Sequence, residues 1–452
     1  MNDALSFLKK NMVLIIILSL GLAFRYFFYL SIREPIMTSD SPTYIDGAMS
    51  LYYHLWLNEY RPPVYPLGLM AAGVLFGWGN LKYSAVILQI VLSLVNIVFV
   101  YKLSYEAFRQ KYAAYLAAFI TATSFRVFSW DFVIMSESFA TLAVTLSAYQ
   151  LVVFLRYGNG RNLKALVMLM IAAILTKPFF LMLPPLAAVI IAIKRLLIDK
   201  CNLRLAAKGL SAAIAVVYIS IFIYSIINYV QNSYFGITTV GNVNCFGKVL
   251  QYKMENLGSN QKLKEDIIFA FQNEGPEHIV NGEFLEPWHF VGKYGWVNNH
   301  YREVGSFAKE ILFKSPVKYT LESLQLAFRL FVLNSPFKDY IADNALQKGD
   351  SANGCFISLR RITEAIDNLY ILLFVCLLES LLVVIFRLKK PEGERGFYMG
   401  VLMLIVLYHY IISAFFSYGD YCRLLTPCYP LIYTLIALYV FRMWVKARKL
   451  IL

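Results

Sequence analysis

The sequence predicts an all-α, polytopic membrane protein, and three observations carry that prediction. Of the 452 residues, 59% are hydrophobic, 16% aromatic and only 15% charged, whereas a soluble domain carries about 25% charged residues. Apolar runs of about 18 or more residues, each long enough to cross a bilayer as a helix, recur along the chain. The basic residues gather in short segments between alternate runs rather than spreading evenly.

The first run, about 11–30, lacks a small-residue cleavage site and carries Arg25 and several aromatics. It reads as a retained helix rather than a signal peptide. The formal charge of +14 is concentrated in segments such as Lys9–Lys10, Arg156 to Lys164, Lys194 to Lys208 and Arg442 to Lys449. That is the positive-inside signature of membrane topology, with both termini inside, and it excludes a nucleic-acid partner. Membrane lipids are the expected surroundings.

The loop at 31–63 then lies outside. It contains an amphipathic stretch with Ile45, Ala48, Met49, Tyr52, Leu55 and Trp56 on one side, expected to lie in the interface plane. Ser41-Pro42 reads as the start of that helix, a side-chain cap followed by proline, with Asp40 just outside it. Arg61 precedes Pro62-Pro63, which fixes the chain's direction into the short apolar run 64–78, read as a second interfacial or re-entrant element.

Spans are expected at about 83–104, 112–128, 133–155, 165–181, 183–193 and 209–230. A polar segment, 231–365, follows as a small external domain, with an amphipathic stretch near 318–334. Three more spans at 366–387, 397–416 and 424–441 return the C-terminus inside. This gives about 10–12 spans, the higher count including the two membrane-lying helices. The organisation is a membrane module (1–230), an external domain (231–365) and C-terminal helices (366–452).

Six cysteines show no metal-ligand spacing. Cys245 and Cys355 fall in the external segment, where a disulfide and two free thiols are both open. No Asn-x-Ser/Thr sequon occurs, which points toward a prokaryotic plasma (inner) membrane.

With this topology the polar residues that belong least in a membrane gather at one face. They are Asp40 and Arg61, Asp131 and Glu137, Lys177, and Asp420 with Arg423. Charges at membrane depth are costly, so their convergence marks a functional cavity. The types suit group transfer from a lipid-linked phosphate. A carboxylate takes the acceptor's proton, and cations stabilise the departing phosphate. A second carboxylate can orient the acceptor, raise the first one's pKa or hold a divalent metal, so metal use stays open. Arg25 and Glu379, inside apolar spans, read as structural. His289, His300 and Glu286 could ligate a metal but match no motif, and His54 reads as an ordinary polar-face residue.

These residues also form a recognisable pattern. It comprises an Asp just beyond the first helix (Asp40), Arg61-Pro62-Pro63-Val64-Tyr65 some twenty residues on, and an acid near the start of a later helix (Glu137). Thr176-Lys177-Pro178 near Pro184-Pro185 and Arg423 with Pro427 and Pro430 complete it. Together they resemble the GT-C superfamily of polytopic glycosyltransferases, nearest the protein O-mannosyltransferase and lipid A aminoarabinose transferase branch. The resemblance covers about 1–230 and, more weakly, the last helices. It implies a GT-C-type bundle that transfers a sugar from a polyprenyl-phosphate donor to a lipid, glycan or protein acceptor of the cell envelope on the outer face, usually with inversion. By motif match, Asp40 is the expected base and Glu137 the second acid. Arg61, Lys177 and Arg423 are the expected phosphate contacts, with Asp131, Tyr44, Tyr65 and Asp420 in support. Two departures are visible: Ser41 follows Asp40 where an acid is common, and Thr43 stands where some members carry Arg. The competing readings are a transporter or flippase of lipid-linked sugars and a polysaccharide polymerase.

Overall fold

A computed structural model describes residues 2–199, 203–280, 282–333, 391–419 and 421–451. Among the described residues the architecture is helical apart from one two-stranded hairpin, and seven of the helical segments are long and apolar enough to cross a membrane. The protein is an integral membrane protein. The expected span 366–387, Glu379, Cys355 and Asp420 lie outside the described residues, so a Cys245–Cys355 pairing does as well.

The first half begins with α1 (Asn2–Ile32), the short α2 (Ser41–His54) and α3 (Val64–Phe76), and the long α4 (Leu81–Phe108). At 13 residues α3 is too short to span, in keeping with an interfacial or re-entrant element. Next come α5 (Lys111–Thr123), one turn of helix α6 (Phe125–Phe128), α7 (Glu137–Tyr157) and α8 (Gly160–Ile174). Helices α9 (Leu183–Ile193) and α10 (Leu203–Asn232) close this half.

Two expected spans are interrupted, and both breaks matter. The stretch 112–128 is not one helix, because Ser124 adopts an extended conformation (φ −68°, ψ 117°) and ends α5. Residues 129–132 then form a 3-10 turn, and Val133 makes a parallel bridge to Ile36, so α7 begins at Glu137 rather than 133. The stretch 165–181 breaks after Ile174. Lys177 is extended (φ −143°, ψ 120°), as the residue before a proline must be.

The polar segment forms its own layer: α11 (Val240–Gln251), α12 (Gln261–Asn273), strands β1 (Ile279–Val280) and β2 (Phe284–Leu285), α13 (Pro287–Lys293), α14 (Arg302–Lys314) and α15 (Pro316–Leu333). Phe246, Leu263, Phe290, Val304, Phe307 and Ile311 build its core. The last described helices are α16 (Pro391–Phe416), the one-turn α17 (Tyr421–Leu425) and α18 (Tyr429–Ile451).

The main core runs through α4, α5, α7, α8, α9, α16 and α18. Large apolar side chains such as Ile16, Ile87, Ile219 and Phe222 face outward instead, the pattern a lipid environment produces. Three backbone ties then fix the ends of these helices against one another. Ile134 N–H donates to Ile36 O (3.1 Å), Val64 N–H to Leu175 O (3.1 Å) and Thr239 N–H to Glu59 O (3.0 Å). They join the first loop to the starts or ends of α7, α8 and the polar layer.

Candidate active site

Those ties bring together side chains from four separate parts of the sequence. Asp40 occupies the N-cap position of α2, yet its carboxylate makes no cap hydrogen bond. It pairs instead with Arg61 (Nη2 to Oδ1, 2.7 Å) and Arg423 (Nη1 to Oδ2, 3.0 Å). Ser41 is not the side-chain cap that the sequence suggested: its hydroxyl accepts from Thr38 N–H (2.9 Å). Pro42 does hold the first turn.

Glu137 is the first residue of α7, where the helix dipole favours a carboxylate, and it is fully buried. Its Oε1 meets Lys177 Nζ at 2.7 Å and Arg423 Nε at 3.3 Å. Its Oε2 is buried with no hydrogen-bond partner among the described residues. Arg423 thus bridges the two acids, and Asp40, Arg61, Glu137, Lys177 and Arg423 form one network.

Tyr44 and Tyr65 support it in two layers. The Arg61 guanidinium lies 4.5 Å over the Tyr44 ring, whose hydroxyl sits 3.1 Å from Ser136 Oγ. Tyr65 packs edge-on against Tyr44 and donates to Gln89 Oε1 (2.6 Å). Gln89 in turn donates to the carbonyls of Asp131 (2.9 Å) and Val133 (2.8 Å), holding the irregular segment before α7. A lone Gln within an apolar span was the signal for it. Thr43, a departure from the resembled pattern, has a clear place. It donates to the Asp40 backbone carbonyl (2.7 Å) and accepts from Arg61 Nε (2.7 Å), so it ties the Arg61 side chain to the backbone at Asp40.

Asp131 does not join the cluster. It is buried against Arg25 (Nε to Oδ2, 2.8 Å) and accepts from Ser138 (2.7 Å), while Arg25 also reaches Ser93, Gly21 O and Ala122 O. The pair staples α1 to the segment before α7, which removes Asp131 from the expected site residues. His289, His300 and Glu286 do not form a metal set either. Glu286 caps α13 by accepting from His289 N–H, and His300 pairs with Glu59.

Burial pushes the Asp40 carboxyl up, but the Arg61 and Arg423 guanidiniums outweigh it and hold the group below the usual carboxylate range. In the polar layer, burial drives the Lys248 ammonium down to about 6. Lys248 is wholly buried and donates to Gln251, Tyr252 and Tyr421, the last only two residues from Arg423.

The charge balance bears on what the site can hold. Arg61, Lys177 and Arg423 carry three positive charges against two on Asp40 and Glu137, a net of +1 among the described residues. Three of the four carboxylate oxygens already face cations. A dication fits this donor set poorly, whereas an anion such as a phosphodiester fits it well.

Comparison with known proteins agrees with this architecture. A family model described as dolichyl-phosphate-mannose-protein mannosyltransferase matches residues 60–226. That range includes Arg61, Glu137 and Lys177. The fold is similar to the archaeal oligosaccharyltransferase AglB from Archaeoglobus fulgidus in complex with an inhibitory peptide and a dolichol-phosphate. The TM-score is 0.52 at 14% identity, over 98% of this chain and 52% of that one. The apo form of the Archaeoglobus fulgidus oligosaccharyltransferase gives a TM-score of 0.53 at 14% identity, over 97% and 51%. The chain therefore spans about half the length of the solved structures it matches. No curated protein matches the sequence. The fold is thus shared with a membrane oligosaccharyltransferase, and the family match covers the segment that holds three of the five network residues.

Proposed function

We propose that the protein transfers a sugar from a polyprenyl-phosphate donor to a lipid, glycan or protein acceptor on the outer face of a prokaryotic plasma membrane. The observation that carries this reading is the convergence of three cations on two carboxylates at one end of the bundle, with one positive charge in excess. A lipid-linked phosphosugar brings one negative charge, which that excess matches. Positive-inside charge supports the outer face.

In the reaction an acceptor hydroxyl attacks the sugar's anomeric carbon. A new carbon–oxygen bond forms, the bond from that carbon to the phosphate oxygen breaks, and the electron pair leaves with polyprenyl phosphate. The acceptor proton goes to Asp40. Arg61, Lys177 and Arg423 face the phosphate as its second charge develops. The same two arginines hold Asp40 in the resting state, so a phosphate that draws them away raises the carboxyl's pKa and strengthens it as a base just when donor is present. The unpartnered Oε2 of Glu137 is available to a substrate hydroxyl. The polar layer 240–333, tied to the Arg61 loop through Thr238 and Thr239, is positioned to present the acceptor.

The test uses purified protein in lipid nanodiscs with a panel of polyprenyl-phosphate sugars and cell-envelope extract as acceptor. Mass spectrometry follows release of polyprenyl phosphate. Sugar-specific release by the wild type and its loss in Asp40→Asn is the expected result. Tight retention of a donor with no release under any condition would overturn the reading in favour of a transporter.

A further inference from the structure

Away from that network, three metal-ligating side chains converge in the polar layer. Glu274 follows α12, His278 ends the turn before β1, and His289 lies in α13, so the set encloses the small hairpin. Their ligand atoms all lie within 4.8 Å of one another. His289 Nε2 is 3.0 Å from Glu274 Oε2, and the two imidazoles stack in parallel with centroids 3.5 Å apart. The chain has only five histidines, and chance would rarely stack two of them beside one carboxylate.

The surroundings are built rather than loose. Glu286 accepts from His289 N–H through its side chain, and its own N–H donates to His278 O (2.8 Å), so one residue fixes both histidine segments. The Glu274 side chain is 2% exposed and its Oε1 accepts from Tyr294 (2.8 Å). That hydroxyl orients the carboxylate as outer partners of metal ligands do. Lys293 Nζ also sits 2.8 Å from Oε1, but its side chain is 54% exposed and can swing into solvent.

We propose that Glu274, His278 and His289 form a binding site for one divalent transition metal of the zinc class, with Lys293 as the cation it displaces. Two imidazoles and a carboxylate are a donor set suited to zinc, with a fourth position left for water. A tetrahedral ion with bonds of about 2.0–2.1 Å separates its ligand atoms by about 3.3 Å. His289 and Glu274 already have that spacing. His278 has to move in by at most about 1.5 Å on the same criterion, its ring splaying from His289 as the ion enters.

The bound ion would fasten the turn at 275–278 to α13. Glu286, the residue that joins these two segments, also accepts from Tyr418 (2.9 Å) in the turn leading to Arg423. The site is therefore a clasp on the support of the phosphate-facing turn, separate from the charged network itself.

The experiment is a zinc titration of the purified full chain in detergent, read by calorimetry, metal content after dialysis and melting temperature, and repeated with cobalt for its visible absorption bands. The expected result is one saturable ion per chain, a raised melting temperature, and a tetrahedral cobalt spectrum. His278→Gln and Glu274→Gln should each weaken binding about tenfold or more, while Lys293→Ala should tighten it. Gel-filtration profiles matching wild type establish that the variants are folded, and Lys293→Ala leaves every ligand in place. Equal zinc binding by wild type and a His278→Gln/His289→Gln double variant, or unchanged affinity in Lys293→Ala, would overturn the proposal. So would the absence of any saturable ion in the wild type. None of these readouts depends on turnover.

Discussion

Two of the groups of buried or half-buried charges among the described residues each pair arginine with aspartate and differ in almost every other respect. In the Arg25–Asp131 pair both side chains are at most 1% exposed, one charge balances the other, and Arg25 donates to four separate acceptors. Among the described residues the Asp40–Glu137 network is 24–27% exposed at Asp40 and Arg423, carries one positive charge too many, and leaves Glu137 Oε2 without a partner. A satisfied, neutral, dry pair is a staple. An incomplete, charged, accessible network is prepared to receive something. The difference lies in closure and balance, not in the presence of charge.

Asp40→Asn puts this contrast to its most severe test. Loss of the proposed base should lower kcat by about 10²–10⁴-fold, while the melting temperature moves little, since Asp40 is 27% exposed. A large drop in melting temperature with little kinetic loss would make Asp40 a staple too. The pH profile refines the point. The arginines hold the Asp40 carboxyl below its usual range, so it stays ionised as pH falls. The acid limb of kcat/KM should therefore lie below the ordinary carboxylate range, and Arg61→Gln should move that limb upward.

The staple answers in the opposite manner. Arg25→Met leaves Asp131 buried and unpaired and should cost about 3–5 kcal/mol of stability, measurable as thermal inactivation in detergent. Turnover per folded molecule should change far less. Arg423→Lys, which keeps the charge but cannot bridge two acids, should lower kcat/KM for the donor by about tenfold to a hundredfold. Steady-state kinetics at constant detergent would read it.

The last effect concerns Lys248. Its ammonium is held down to about 6 in the folded state against an ordinary 10.5. Between those values the unfolded chain binds more protons, so stability should rise with pH across that window. Lys248→Met should flatten this rise, and melting curves at pH 6.5 and 9 would show whether it does.

Much of the arrangement could be read from the sequence because it rests on local chemistry. Apolar run lengths announce helices. Pro42, the Pro62-Pro63 pair and Pro178 announce direction changes, and Asp40, Arg61, Glu137, Lys177 and Arg423 were visible as charges placed where lipid makes them costly. What could not be read depends on distant partners. Asp131 looked like a supporting neighbour of Glu137 because the two stand just before and at the start of the same helix. Only Arg25, 106 residues away, takes it out of the site. The break at Ser124 has no proline or glycine to signal it. It exists because residues 125–136 must turn back across α4 and the first loop, where Gln89 and Ile36 hold them. The place of Thr43 was hidden for a related reason: its hydroxyl matters only once Arg61 lies beside it.

The contact between Arg423 and Asp40 spans 383 positions of the chain. Translation must therefore pass Arg423, and the apolar segments between must enter the bilayer, before the first loop meets its third cation. Until then a nascent chain can bury helices and fold its early core, but it holds only two of the three cations of the network. Assembly of the network is thus a late event in the folding of the membrane module, set by the insertion of the segment that carries Arg423.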